Sequence, residues 1–249
     1  MARVAILSDI HGNLEALESV LKAARADGVE TFWHLGDVVG YNADPTACLD
    51  VLRDCGARGV QGNHDLAALD PHIAESFNVL AYEAIHYTIQ QLNSSHLAQL
   101  HTLPLCRTME GGALLCHGTP ETPHSYILNL YQARRIFNLM RKKFPDVRLC
   151  FFGHTHQQKV WIQDPRGKVL SYDLSEKTLV LNPQDLYLIN PGSVGQPRQR
   201  DSRACFLIFD TDHYAVTFRA VPYDVKRAQE KILRAGLPEY LALRLQDGV

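Results

Sequence analysis

The stretch RVAILSDIHGNLEALESVLKAARADG, residues 3–28, decides the fold class. Its first six residues form a β-rich apolar run that stops just before Asp9. From Asn13 onward the apolar residues recur at helical spacing, and Gly28 is a suitable helix end. A strand that passes through a short polar loop into a helix is the building unit of layered α/β folds.

The same unit repeats through the first 65 residues. The runs TFWHLG, residues 31–36, and ARGVQG, residues 57–62, predict buried strands that each end in glycine. Between them, DPTACLDVLRDCG, residues 44–56, predicts a helix with Pro45 in its first turn. The order β-α-β-α-β predicts an α/β domain in which these strands are neighbours in one sheet.

The predicted secondary structure changes twice in the rest of the chain. Residues from about 66 to 105 predict a helical insertion, strand-like runs return at GALLCHG and VRLCFFG, short β runs follow residue 158, and residues from about 222 to 245 predict C-terminal helices. No internal repeat or low-complexity linker divides the sequence, so we expect a single domain over residues 1–249.

Composition limits the classes of partner. A net charge of -2 and a pI near 6.6 provide no basic field for a phosphate backbone, so we expect no duplex nucleic acid partner. The six cysteines form no C-x-x-C pair, which favours reduced thiols and a cytoplasmic location. The sequence has neither a signal peptide nor an apolar run of about 18 residues, so we expect no membrane partner. The oligomeric state stays open, a homo-oligomer included.

Polar side chains follow several predicted strands at the point where each strand ends. They are Asp9 and His11 in SDIHG, Asp37 in LGDVVG, Asn63, His64 and Asp65 in GNHD, His117 in CHG, and His154 and His156 in GHTH. Loops at the carboxyl ends of strands lie along one edge of an α/β sheet, so these segments can converge there. Each histidine alone is more often an ordinary core or surface residue, so the interpretation rests on their joint occurrence.

The donor set fits two metal ions better than one. Asp9, His11, Asp37 and His156 would form one site, and Asp37, Asn63, His117 and His154 the other, with Asp37 as the bridge. A closed structural zinc site would need about four ligands, usually with cysteine. Mixed imidazole and oxygen ligands suit two divalent ions, first Mn²⁺ and otherwise Fe, Zn, Ni or Co. Such a cationic centre attracts a phosphate ester and lowers the pKa of bound water.

Four further residues are candidates for catalysis or substrate binding. His64 follows Asn63 and is expected to act as general acid towards the leaving group, with Asp65 orienting its ring. Asn13 is a helix N-cap in the simplest interpretation and a phosphate contact in the other. Arg198, beside the PGSVG turn, can clamp a phosphate or simply be solvated.

In chain order, the motifs D-x-H, G-D, G-N-H-D, H and G-H-x-H resemble those of the calcineurin-like metallophosphoesterase superfamily. With NPGSVGQPR, residues 190–198, the match runs from residue 4 to about 205. The resemblance implies a four-layer α/β/β/α sandwich of two mixed sheets with a helical insertion. It also implies a dinuclear metal centre that hydrolyses phosphoesters with a metal-bridging hydroxide and without a covalent intermediate.

One departure from the family narrows the expected function. The segment GDVVGYNADP lacks the Asp-Arg pair that follows the bridging aspartate in serine/threonine protein phosphatases, which favours the small prokaryotic phosphodiesterase-like branch. We expect a metal-dependent phosphoesterase, a phosphodiesterase or phosphatase, whose substrate is a small phosphodiester or nucleotide. The alternatives are a dinucleoside polyphosphate hydrolase, or a catalytically silent metal-binding scaffold or nucleotide sensor with the insertion as a lid.

Overall fold

The computed structural model describes residues 3–172 and 177–249. The first five elements are β1 (Arg3–Leu7), α1 (Leu14–Ala26), β2 (Thr31–His34), α2 (Pro45–Asp54) and β3 (Arg58–Gly59). The strands β1, β2 and β3 pair in parallel in that order, which confirms the predicted β-α-β-α-β succession. The predicted strand at residues 57–62 is shorter than expected, because only Arg58 and Gly59 pair with β2.

The remaining elements complete two sheets and their covering helices. The later strands are β4 (Cys106–Thr108), β5 (Ala113–Cys116), β6 (Leu149–Phe151), β7 (Gln158–Gln163), β8 (Val169–Tyr172), β9 (Thr178–Val180), β10 (Leu186–Pro191), β11 (Ala204–Asp210) and β12 (Ala215–Val221). The later helices are α3 (Asn63–Leu69), α4 (Val79–Gln91), α5 (Ser94–His101), α6 (Leu130–Lys143), α7 (Val225–Arg234) and α8 (Glu239–Asp247), with a 3-10 helix at Pro71–Ser76.

The two sheets are mixed and pack face to face. One has the order β3-β2-β1-β11-β12-β9 and the other β4-β5-β6-β10-β7-β8. Side chains of β1 alternate: Ile6 lies in the core between the sheets, whereas Leu7 faces the layer of α1 and α2. On the far side, Phe137 of α6 packs on Leu188 of the second sheet. This architecture confirms the four-layer α/β/β/α sandwich.

The helical segments lie where the sequence predicts them, with shifted ends. The insertion, expected from about residue 66, begins with α3 at Asn63, because the Asp65 carboxylate accepts the backbone N–H of Gly62 and caps that helix. Helices α7 and α8 form one apolar cluster with α4 and Tyr41. None of the described helices is long and apolar enough to cross a bilayer. The single domain over residues 1–249 stays a prediction, and it takes in residues 1, 2 and 173–176, which lie outside the described residues.

Asn13 ties the start of α1 to the turn after β10. Its Oδ1 accepts the backbone N–H of Ala16 at 3.1 Å, and its Nδ2 donates to the carbonyl oxygen of Gly195 at 3.0 Å. The residue is 1% exposed, and both ends of its amide are used. The helix-cap interpretation is therefore confirmed, and the predicted substrate contact of Asn13 is wrong.

Two substitutions of Asn13 should distinguish the contributions of its two hydrogen bonds to stability. We expect Asn13→Ala to lower the free energy of unfolding by about 2 kcal/mol, since it loses a helix cap and a buried hydrogen bond. Asn13→Ser keeps a capping oxygen and should lose about half as much. Urea unfolding measures both variants, and equal losses would contradict the two-bond role.

His34, the last residue of β2, should make stability depend on pH. It is buried against Gly59, and its Nδ1 has no hydrogen-bond partner. Burial, with a smaller contribution from Arg107, lowers the pKa of His34 from 6.5 to about 4. Because the folded state binds this proton more weakly than the unfolded state, stability is complete above pH 6.5 and falls as the pH drops towards 4.

We expect the titration of His34 to lower the free energy of unfolding by about 3 kcal/mol as the pH falls across that range. His34→Gln lacks the titrating ring, so its stability should fall less steeply with acidification than that of the wild type. Urea unfolding at several pH values between 4 and 7 provides the comparison. Parallel curves for the two proteins would refute the assignment.

Candidate metal centre

The seven predicted ligands meet at one edge of the sandwich. The loops that follow β1, β2, β3, β5 and β6 carry them there, and all seven side chains are buried. Five of them have a left-handed backbone, with φ of 53° at Asp9, 49° at His11, 51° at Asp37, 66° at His154 and 60° at His156. Non-glycine residues in this region are strained, and such strain is typical of functional sites.

Backbone carbonyls fix the tautomers of three histidines. Nδ1 of His11 lies 3.0 Å from the Val39 oxygen, Nδ1 of His117 lies 2.8 Å from the Leu35 oxygen, and Nδ1 of His156 lies 2.6 Å from the Gln196 oxygen. A carbonyl can only accept, so each Nδ1 carries the proton and donates. In the neutral ring, Nε2 is then a lone pair that faces the centre. This arrangement is typical of metal-ligating histidines.

Ring nitrogens face each other in two pairs at the centre. Nε2 of His11 lies 3.3 Å from Nε2 of His156, and Nε2 of His117 lies 3.2 Å from Nδ1 of His154. Two neutral lone pairs at this separation repel unless a proton or a cation lies between them. The oxygen Oδ1 of Asn63 is also buried without a partner. The donor set therefore fits two cations, one for each pair.

The carboxylate of Asp37 connects the two pairs. Its Oδ2 lies 3.7 Å from Nε2 of His11 and 3.1 Å from Nε2 of His117, while its Oδ1 accepts the backbone N–H of His64 at 2.8 Å. Gly62 makes this position accessible, since a methyl group there would overlap the carboxylate. Asp37 thus lies between the two pairs, and its role as the bridging ligand stays a prediction.

Asp9 lies beside the His11–His156 pair. Its Oδ1 is 3.3 Å from Nε2 of His156, and its Oδ2 accepts from the Ser8 hydroxyl at 2.6 Å. The ligating atoms of Asp9, His11 and His156 all lie within 4.8 Å of one another, as do those of Asp37, His117 and His154. Each of these groups holds three of the four predicted members of one site, and a third group of described residues joins His11, Asp37 and His64. Assignment of all seven as ligands stays a proposal.

Burial and charge keep most of these imidazoles neutral. Burial lowers the pKa of His154 to about 3 and the pKa of His11 and His156 well below their usual range. Burial acts in the same direction on His117, but the facing Asp37 outweighs it and raises the pKa of His117 to about 9. Without metal, a proton therefore resides between His117 and Asp37, and divalent cations would displace it.

His64 is at the centre as well as in the pocket wall. Its ring centroid lies 4.8 Å from that of His11 and 4.9 Å from that of Phe77, and its Nδ1 has no partner. Burial lowers the pKa of His64 to about 4. A nitrogen of His64 is also within 4.8 Å of ligating atoms of His11 and Asp37. The geometry allows His64 to act as the predicted proton donor, and it also allows His64 to act as a further metal ligand.

The predicted role of Asp65 is wrong. Its Oδ1 accepts the backbone N–H groups of Val38 and Val39 at 2.9 and 3.2 Å, and its Oδ2 accepts that of Gly62 at 3.0 Å. These bonds hold the loop of Asp37 against the start of α3. With both oxygens engaged by backbone groups, Asp65 positions the loop and does not orient the ring of His64.

A pocket of about 300 Å³ opens over the centre. It is lined by Asp37, Tyr41, Asn63, His64, Ser76, Phe77, Asn78, Ala81, His124, Tyr126, His154, His156 and Arg198. Arg198 has a buried Nε without a hydrogen-bond partner, and it forms no ion pair with any residue in the described part of the chain. Its guanidinium can therefore reach an anion in the pocket, and the phosphate contact of Arg198 stays a prediction.

The role of Arg244, a residue of α8, was not predicted from the sequence. With the amide of Gln196 oriented so that its oxygen faces α8, that oxygen accepts from Nε of Arg244 at 2.7 Å and from Nη1 at 2.8 Å. The guanidinium also lies 5.7 Å from the ring centroid of Tyr41, which is 4.6 Å from that of His11. Since the backbone oxygen of Gln196 holds His156, Arg244 braces two of the predicted ligands. No motif in the tail marks this role.

Loss of Arg244 should weaken metal binding without unfolding the chain. We expect Arg244→Ala to lower the affinity for Mn²⁺ about threefold, less than the roughly tenfold loss for a group that itself bonds a ligand's second nitrogen, because Arg244 acts on His156 only through Gln196. Arg234→Ala is a matched control, since Arg234 is exposed on α7 and pairs with Glu230. Titration calorimetry measures both. Wild-type affinity in folded Arg244→Ala would refute the bracing role.

Comparisons with known proteins agree with this fold and site. A model of the calcineurin-like phosphoesterase superfamily domain matches residues 2–214. An uncharacterized protein of Methanocaldococcus jannaschii is 36% identical over 247 residues, which cover 97% of this chain and 96% of that protein. The crystal structure of a metallophosphoesterase from Sphaerobacter thermophilus is 37% identical, covers 99% of this chain and 100% of its own, and superposes with a TM-score of 0.83.

A more distant structure shows the fold alone. A hypothetical protein of Pyrococcus horikoshii is 20% identical, with coverage of 100% of this chain and 99% of its own, and superposes with a TM-score of 0.81. The family match ends at residue 214, so α7, α8 and Arg244 lie beyond it.

Proposed function

Because the chain belongs to the calcineurin-like phosphoesterase superfamily and is a metal-dependent phosphoester hydrolase, we propose that it cleaves a small phosphodiester or nucleotide at a centre of two divalent ions. The observation that carries the proposal is the pair of facing nitrogen contacts, 3.3 and 3.2 Å long, that the carboxylate of Asp37 links. The contact of His11 with His156 is unfavourable for neutral rings, because both Nδ1 protons are held by carbonyls and two lone pairs face each other. The contact of His117 with His154 can hold a proton, and a cation can take the place of that proton.

The ligand sets are those that the sequence suggests. Asp9, His11, Asp37 and His156 would hold one ion, and Asp37, Asn63, His117 and His154 the other. Bound ions of this kind lower the pKa of water and offset the charge of a phosphoryl group. Mixed imidazole, carboxylate and amide donors support Mn²⁺, with Fe, Zn, Ni and Co as alternatives.

Arg198 and His64 act on the substrate itself. The guanidinium of Arg198 lines the pocket without an ion-pair partner in the described residues, so it binds a non-bridging phosphate oxygen. His64 donates a proton to the oxygen that leaves. The negative charge of a bound phosphate favours the protonated ring and so raises its pKa from about 4.

The pocket and the composition support a small substrate and a cytoplasmic enzyme. A volume of about 300 Å³ is at the lower end for ligand sites, which favours a small ester over a dinucleoside polyphosphate. The net charge of -2 disfavours duplex nucleic acid. Buried thiols such as Cys116 and Cys150, which lie 3.7 Å apart without a disulfide, favour the reducing cytoplasm.

His64→Ala tests the proton-donor role. We expect turnover of diphenyl phosphate by the Mn²⁺-loaded variant to fall at least 100-fold, a loss within the range for general acid catalysis. Turnover of bis(p-nitrophenyl) phosphate should fall less, since p-nitrophenolate leaves more easily without a proton. His101→Ala is the control, since His101 is exposed at the end of α5 and does not line the pocket.

The manganese content of His64→Ala distinguishes the two roles that its geometry allows. An unchanged content, together with the dependence on the leaving group, supports a proton donor. Loss of manganese would instead make His64 a ligand. Equal losses of turnover for both substrates would remove it from proton transfer.

A further inference from the structure

Two walls rise from the metal centre at the mouth of the pocket. The segment before and within the start of α4 provides one wall, with Ser76, Phe77, Asn78 and Ala81. The loop between β5 and α6 provides the other wall with Tyr126 and His124. A substrate whose phosphate lies at the centre must place the rest of its atoms between these walls.

Each wall presents one aromatic ring beside an imidazole of the centre. The ring of Tyr126 is stacked on that of His154, with centroids 3.9 Å apart and planes at 19°. In the other wall, the ring of Phe77 lies 4.9 Å from that of His64 at 39°. Tyr126 is 43% exposed although one of its faces is covered by His154, so much of the rest of the ring is free for contact.

Charge is confined to the floor of the pocket. Among the lining residues, all of which are described, Arg198 is the one arginine or lysine. The walls are aromatic, hydroxyl, amide and methyl groups, apart from His124. The floor therefore suits one phosphate group, and the lining residues of the walls include no arginine or lysine to pair with a second anionic group. Flat rings with few charges are the surfaces on which another flat ring stacks.

We propose that the substrate is a phosphoester with one flat aromatic or heterocyclic group, of the size of an aryl ring or a nucleobase, held between Tyr126 and Phe77. Phe77 adjoins His64, so the helical insertion contacts the group that leaves. These two residues then determine specificity. This inference rests on the proposed function of the same centre, because it assumes that the phosphate binds there.

Binding of two phosphonates tests the proposal without turnover. Phenylphosphonate and cyclohexylphosphonate carry the same anion on rings of similar size, and only the first ring is flat. By titration calorimetry on Mn²⁺-loaded protein, we expect the wild type to bind phenylphosphonate about tenfold more tightly, on the scale of aromatic pair contacts. Tyr126→Leu and Phe77→Leu keep apolar bulk, and each should reduce this preference to about threefold.

Two controls isolate the effect of the rings. Tyr131→Leu removes a tyrosine of α6 that is 82% exposed and does not line the pocket, so it should keep the wild-type preference. Inorganic phosphate should bind equally to all four proteins, since it reaches only the centre.

The outcomes separate this proposal from the proposed function. Equal affinities of the wild type for the two phosphonates, or an unchanged preference in both pocket variants, would overturn the aromatic specificity. Failure of the loaded enzyme to hydrolyse phosphodiesters, with the preference for phenylphosphonate intact, would contradict the proposed reaction and leave the aromatic site supported.

Discussion

The short contacts of Asp37 with His11 and His117 are the constraint on which the rest of the site depends. Oδ2 of Asp37 lies 3.7 Å from one imidazole nitrogen and 3.1 Å from the other, so a single oxygen reaches both halves of the centre. A carboxylate holds this position only if its second oxygen is fixed elsewhere, and the backbone N–H of His64 fixes it. The start of α3 and the end of β2 must therefore stay in contact.

The fold maintains that contact by local means. Asp65 accepts hydrogen bonds from Gly62 and from Val38 and Val39, so one carboxylate ties α3 to the loop after β2. The left-handed backbone at five of the seven predicted ligands costs about 1–3 kcal/mol at each position. Such strain persists only where the surroundings over-determine the conformation. Two tightly packed sheets with helices on both outer faces provide those surroundings.

The sequence predicts the floor of the pocket well because its information is local. Asp9, His11, Asp37 and Asn63 stand directly after strands, and the ends of parallel strands share one edge. The alternation of strands and helices predicts that β1, β2 and β3 are neighbours, the four-layer order was implied by the family resemblance, and the structure confirms both. The helix cap of Asn13 was predicted correctly, but its bond to Gly195 and the bonds of Asp65 to Val38 and Val39 were not, because these join groups that are distant in sequence. A sequence pattern does not show which of several acceptors a buried N–H will reach.

The contribution of Arg244 could not be predicted for a related reason. It acts through Gln196 and Tyr41, which belong to two separate loops, and its helix has no spacing or motif that refers to either. Phe77 and Tyr126 likewise stand in segments without a recognisable pattern, and their importance follows only from their rings lying against His64 and His154.

Different constraints act on the ligand loops, on the pocket walls and on the C-terminal tail. The ligand loops lie within residues 2–214, the part that matches the family, and the close contacts between their ring nitrogens make their positions interdependent. Phe77 and Tyr126 contact the centre by ring packing, each against one imidazole. Arg244 has the opposite character, since it touches no substrate and yet supports Tyr41 and the partner of His156. The proposed specificity therefore depends on the ring contacts of the two walls. The C-terminal tail instead supports the positions of the predicted ligands through Arg244.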